Sequence, residues 1–250
     1  MQAQPFSVVI ITLNAAQQIE SCLQSVAFSD EIIVVDSGSS DDTTEIALKC
    51  GARVIFQTWL GFGRQKQFGV EQARHDWVLC LDADERVSDE LRTHILQTLQ
   101  QPSTPAYKMA RSNRFMGRFL RYGEGYPDWS LRLFDRRRAH WSDDNVHEKV
   151  LTDAPVGTLR GDLLHESAED LATYLDKQNR YTTIQAENLF GAGRRAHLGH
   201  LIFSPAVRFI RFYFVRLGIL DGVPGLVHIV IGCCCSLMKY AKLMALQRGK

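Results

Sequence analysis

Asp82 and Asp84 stand one residue apart, directly after the apolar run Trp77-Val-Leu-Cys-Leu81. Two carboxylates that close repel each other unless a cation lies between them. Hard oxygen ligands suit magnesium or manganese, and those ions in turn suit phosphate-bearing substrates. The run itself reads as a buried strand. Acids at the carboxyl end of a central strand sit where open α/β sheets bind their ligands. The plainer reading is a strand followed by a helix that Ser88 caps ahead of Asp89-Glu90-Leu91.

The segments around this pair show what must position it. Residues 7–13 and Glu31-Ile-Ile-Val-Val35 are short, β-branched and apolar, as buried parallel strands are. Residues 17–27 fit an amphipathic helix with Ile19, Leu23 and Val26 on one face. A helix is expected from Asp41 to about Lys49, a third strand over Arg53–Gln57, a helix over Arg64–Arg74 and the fourth strand over Trp77–Leu81. That β-α alternation predicts a mostly parallel sheet with helices on both faces. The first strand then ends at Thr12-Leu-Asn14, the second at Asp36-Ser-Gly-Ser-Ser40 and the fourth at Asp82-Ala-Asp84. All three ends converge on one cleft. Asp36 is placed to accept from a base or ribose, and Gly38 lets the backbone approach a ligand.

The rhythm changes after Pro102. Tyr107–Arg111 and Ser130–Asp135 read as strands, and residues 167–190 as a helix. The last fifty residues carry seven Lys/Arg against Asp221 alone, a charge of +6, which leaves −5 for residues 1–200 of a chain whose net charge is +1. Within them lies a 16-residue apolar run, Leu226–Ala241, short of the roughly 20 residues that span a bilayer. The reading is one or two interfacial helices on an anionic membrane surface, the alternative being a buried helical hairpin. A balanced charge argues against a nucleic-acid partner. Six cysteines lack disulfide or zinc spacing, and Pro5 leads straight into the first strand without a signal-peptide pattern, so a reducing cytoplasm is expected. No Gly-x-Gly-x-x-Gly follows the first strand, which argues against a dinucleotide-binding dehydrogenase.

The ordered set of strand-end motifs resembles glycosyltransferase family two, enzymes of the GT-A fold that use nucleotide sugars. The resemblance covers residues 6 to about 150. Gly61-Phe-Gly-Arg-Gln-Lys-Gln-Phe-Gly69, Leu81-Asp-Ala-Asp-Glu85, Leu131-Arg-Leu-Phe134, Asp144-Asn-Val-His-Glu148 and Gly218-Ile-Leu-Asp-Gly-Val-Pro-Gly225 look like the subgroup that adds glucose to the lipopolysaccharide inner core. Two positions depart from the family: Ala15 stands where Glu is common, and Gln67 where Asn is common.

The resemblance implies a transferase domain over residues 1–200, with a nucleotide-sugar half at about 6–100, an acceptor half at about 101–200 and a basic amphipathic tail over 201–250. It implies an inverting enzyme, peripheral to the inner face of the cytoplasmic membrane, moving a sugar from a UDP-type donor, glucose for this subgroup, to a glycolipid acceptor with Mg2+ or Mn2+. Thr12, Asn14 and Asp36 would contact the nucleotide. Asp82 would hold the ribose and assist the metal, and Asp84 would ligate it. Lys66 either reaches the diphosphate or is an ordinary solvated helix lysine. Arg132 either reaches the same phosphates or faces solvent. His147 is a third metal ligand, a phosphate donor or a structural histidine. Glu148 and Asp144 are the candidate bases, Glu148 foremost. His165-Glu166 repeats the His-Glu pair as a decoy or a second acceptor contact. Two other readings compete: a family-two enzyme that charges a polyprenyl phosphate or another glycan, and a non-catalytic membrane protein that binds sugar nucleotides.

Overall fold

A computed structural model describes residues 3–143, 148–166 and 170–248. The backbone divides into two compact units, Met1–Arg111 with Asp128–Glu166, and Ser112–Pro127 with Ser167–Lys250.

The first unit opens with β1 (Phe6–Thr12), α1 (Ile19–Ser25), β2 (Glu31–Asp36), α2 (Thr43–Lys49), β3 (Arg53–Phe56), α3 (Phe62–Glu71) and β4 (Trp77–Asp82). It continues through β5 (Glu85–Val87), α4 (Asp89–Thr98), β6 (Ala106–Phe115), which runs into the second unit, and there β7 (Arg118–Phe119). Then come β8 (Asp128–Asp135), β9 (His140–Trp141), β10 (Val150–Leu151) and β11 (Val156–His165). The strand order is β3-β2-β1-β4-β8-β6-β11-β5, with β7 paired to β6. β1 lies between β2 and β4, parallel to both, while β8 meets β4 antiparallel. The expected GT-A-like α/β sheet is therefore present.

Every residue of β1 is buried, and its side chains alternate between two cores. Val8 and Ile10 share one with Ile19 and Leu23 of α1 and Leu91 of α4. Val9 and Ile11 share the other with Val70 of α3 and Trp141 of β9. Burial of each such side chain stabilises the sheet by roughly 1.5–3 kcal/mol. α3 approaches so closely that a Cβ on Gly69 would lie 2.4 Å from Val9 Cγ1. Ser88 does cap α4, its hydroxyl accepting from the Leu91 amide at 3.3 Å.

β5 begins three residues after β4 ends, yet pairs with β11 at the far end of the strand order. The sheet therefore curls, and the register sets His165 opposite Glu85.

The second unit is mainly helical: α5 (Leu171–Gly191), α6 (Leu198–Phe209), a π-helical stretch Ile210–Val215, a 3-10 turn Gly218–Asp221 and α7 (Gly222–Arg248). The helix extends beyond the 16-residue apolar run at both ends. α7 is continuous over 27 residues, about 40 Å at 1.5 Å each, because Lys239 and Lys242 do not break it. By length and composition alone, Leu198–Val215 and Gly218–Arg248 are long and apolar enough to cross a membrane.

Candidate active site

The site forms where the direction of strand succession reverses, between β1 and β4, the crevice in which open α/β sheets bind ligands. Thr12 pairs with Asp36 across β1–β2, and Ile11 pairs with Asp82 across β1–β4. Three functional positions thus line one edge of three adjacent strands.

On the β2 side, Asp36 is 4% exposed. Its carboxylate accepts from the Gly38 and Ser39 amides, each at 2.9 Å, and from the Ser39 hydroxyl. Gly38 has φ +104°, a conformation that L side chains rarely adopt. Asn14 joins the two strand ends: its amide donates to Ser39 Oγ and its Oδ1 accepts from the Ser40 amide, both at 2.8 Å. Ala15, the departure from the family pattern, donates its amide to Thr43 Oγ1 at 2.8 Å. Thr12 Oγ1 is buried without a hydrogen-bond partner among the described residues.

On the β4 side lies a compact charge network. Lys66 is 1% exposed, so the reading of a solvated lysine is excluded. Its Nζ lies 3.0 Å from Asp82 Oδ1 and 3.4 Å from Glu148 Oε1. Arg132 is 5% exposed, which excludes the solvent-facing reading. Its Nη2 donates to Asp82 Oδ2 at 3.0 Å and to Glu85 Oε1 at 2.8 Å. Glu85 is fully buried and also accepts the Asp82 amide at 3.0 Å. Burial alone would push the Asp82 carboxyl up; the charges of Lys66 and Arg132 overcome it and hold it well below the usual carboxylate range. Both cations sit over the Trp141 indole, at 4.8 Å and 5.7 Å from its centroid. Gln67 replaces the more common Asn and accepts the Trp141 amide at 3.0 Å, which fixes that indole under the cations.

Glu148 faces a cavity of about 310 Å³ with Arg111, Trp129, Arg132 and Trp141. The N-terminus of α3 presses on the same loop: a Cβ on Gly63 would meet the Ser142 carbonyl at 2.3 Å and Glu148 Cβ at 3.2 Å. Asp144 and His147 lie outside the described residues.

Asp84 extends past β4, and His165 Nε2 lies 3.2 Å from its Oδ2. The neighbouring Glu166 is tied to Arg86 at 2.8 Å. Sequence reasoning assigned His165 to a decoy or an acceptor contact; its partner lies 81 residues away, brought near by the β5–β11 register and by the Glu166 amide donating to the Asp84 carbonyl at 3.0 Å. The one available signal was a His-Glu pair closing a strand-like segment. Trp141, Glu85 and Arg111 were likewise missed.

The donor set fits a loosely held divalent cation. Asp84 offers a hard carboxylate, His165 an imidazole, and Asp82 a second carboxylate whose Oδ1 lies 3.0 Å from Lys66 Nζ. Among the described residues no three Asp, Glu, His or Cys side chains form a ready-made cage.

Comparison with known proteins shows the family. The chain is 30% identical over 248 residues to the lipopolysaccharide core biosynthesis glycosyltransferase LpsC of Rhizobium meliloti (strain 1021), covering 96% of this chain and 92% of that protein. It is also 30% identical to a glycosyltransferase of Rickettsia typhi, covering 96% and 87% respectively. Among solved structures, S. aureus TarS 1-349 in complex with UDP matches 98% of this chain and 92% of its own with a TM-score of 0.51; at 16% identity this shows the fold alone. The glycosyl transferase family 2 profile matches residues 7–155. The chain belongs to glycosyl transferase family 2.

Proposed function

We propose that this glycosyltransferase moves glucose from UDP-glucose to an inner-core sugar of a lipopolysaccharide-type glycolipid, with inversion, at the inner face of the cytoplasmic membrane. The observation that carries the reading is the pairing of Asp84 with His165 beside the Lys66–Asp82–Arg132 network, all at one strand end. The likeness to LpsC supports the acceptor class.

Asp36, Asn14 and Thr12 receive the nucleoside. Thr12 Oγ1, buried without a hydrogen bond among the described residues, is the atom that gains a partner when the donor arrives. Asp84 and His165, assisted by Asp82, would hold Mg2+ or Mn2+. Such an ion neutralises charge on the departing diphosphate. Lys66 and Arg132 lie within reach of that diphosphate and trade part of their hold on Asp82 for it. Glu148 takes the proton of the acceptor hydroxyl as its oxygen attacks the anomeric carbon. The bond from that carbon to the diphosphate breaks, and the electron pair leaves with UDP.

The test is a panel of nucleotide sugars assayed for hydrolysis, then for transfer to isolated lipopolysaccharide core and to polyprenyl phosphate. UDP-glucose should turn over, stop in chelator and resume with magnesium or manganese. Full turnover in excess chelator overturns the metal assignment. Transfer to polyprenyl phosphate but not to core replaces the acceptor.

A further inference from the structure

The outer surface of α6 is unlike any other helix surface in the chain. Phe203, Val207, Ile210 and Phe214 follow one another at spacings of four, three and four that keep them on one face, Leu198 and Ile202 add apolar surface away from it, and all six are exposed, Phe203 at 68%. No residue of α6 is buried. The stripe runs on into the turn before α7, where Val215 is 72%, Leu217 48%, Leu220 52% and Val223 66% exposed. Soluble proteins rarely leave a continuous apolar surface of this extent bare.

Charge indicates what covers it. Arg118, Arg121, Arg211 and Arg216 are exposed around the turn. The two acids in the same segments are already committed. Asp221 is buried with its Oδ1 3.9 Å from Arg118 Nε, and Glu124 is ion-paired with Arg208, which leaves Arg121, Arg211 and Arg216 to face outward. An apolar edge collared by arginines complements an anionic lipid monolayer.

The helical packing also decides how deep the edge goes. Lys242, about 30 Å along α7 from Gly222, donates to Asn179 O, Asn179 Oδ1, Thr182 Oγ1 and Thr183 Oγ1 at 2.7–2.8 Å. This clamps the far half of α7 to α5, which carries exposed Asp176, Lys177, Arg180 and Glu187. A helix so tied cannot cross hydrocarbon without dragging those charges in.

We infer that the α6 stripe and the 214–223 turn form a monotopic anchor that enters one leaflet of an anionic bilayer, and that α7 does not cross it. The inference rests on the membrane placement proposed above and adds the residues of the inserting surface and the exclusion of α7 as a span.

Flotation with phosphatidylglycerol-containing vesicles tests the surface. The full chain should float with them, and less with pure phosphatidylcholine. Phe203→Glu with Val207→Glu and Phe214→Glu should abolish flotation. Arg211→Gln with Arg216→Gln should weaken it roughly thirtyfold at low salt. All variants should hydrolyse the donor as the parent does, which separates this inference from the catalytic one. Flotation of the triple variant like the parent overturns the anchor. So does a parent that never floats but forms a dimer the triple variant breaks; the stripe would then be an interface between two copies. An impermeant maleimide tests the depth on spheroplasts expressing Ile219→Cys or Arg248→Cys in a background with the other accessible cysteines replaced (Cys50, Cys233, Cys234 and Cys235→Ser). Neither should react before lysis, and Arg248→Cys should react after it; labelling of either in intact spheroplasts shows a crossing.

Discussion

Asp82 in the first unit, half-buried, and Asp221 in the second, fully buried, are held in opposite ways. Asp82 is balanced by two side-chain cations, Lys66 and Arg132. Asp221 is held by the backbone amides of Arg121 and Tyr122 at 2.9–3.2 Å. Side-chain cations can trade partners when a phosphate arrives; peptide amides fixed in a turn cannot. The first arrangement makes a site, and the second makes a joint. Gly225 fits the joint, since a Cβ there would lie 2.5 Å from Asp221 Cβ.

The contrast is broken most severely at Asp84. Asp84→Ala should reduce transfer by several kcal/mol of transition-state stabilisation, on the order of a thousandfold, with little change in melting temperature. His165→Ala should follow it in metal titrations. Asp221→Ala should do the reverse: lose about 3 kcal/mol of stability, a drop of roughly 6–12 °C, because two backbone amides lose a buried charged acceptor. Equal thermal stability of the two variants would dissolve the distinction between site and joint.

Smaller effects sharpen it. Glu148→Gln should lower transfer about a hundredfold at saturating donor while donor affinity holds. Unchanged transfer moves the base elsewhere, and Asp144→Asn is the variant to compare. Gly63→Ala puts a methyl group into the Ser142 carbonyl and should displace Glu148, lowering transfer on the order of tenfold. The smallest effect concerns Glu31, which is held both ways, by Arg53 and by the Arg74 amide with Ser7. Burial would raise its carboxyl, but these donors lower it below the usual range. Its contribution is therefore complete above the unfolded value of about 4.3 and lost as pH falls toward the folded one. Glu31→Gln should lower stability by about 1 kcal/mol at neutral pH. A difference that persists undiminished in acid contradicts this account.

The parallel half of the fold was legible because its strands are continuous β-branched runs, each closed by a polar strand end. β5 was not: three residues, Glu85–Val87, carry no periodicity, and pairing with β11 alone makes them a strand. β11 itself mixes Arg, Asp and glycines on an incompletely covered surface. In the site, Asp36, Asp82 and Asp84 stand out because acids follow apolar runs. Lys66, between two glutamines, reads as a surface residue; its two partners come from 16 and 82 residues away. The length of α7 was hidden for a similar reason. A lysine near the end of an apolar run looks like its boundary until α5 supplies four acceptors.

Trp141 gives the charge network an optical reporter. Its indole lies beneath Lys66 and Arg132, and its Nε1 bonds Cys80 Sγ at 3.3 Å. A ligand that draws either cation aside changes the field across the ring and hence its emission. Fluorescence of the unlabelled chain therefore follows donor arrival in real time, and Trp141→Phe subtracts the signal from that of the three other tryptophans.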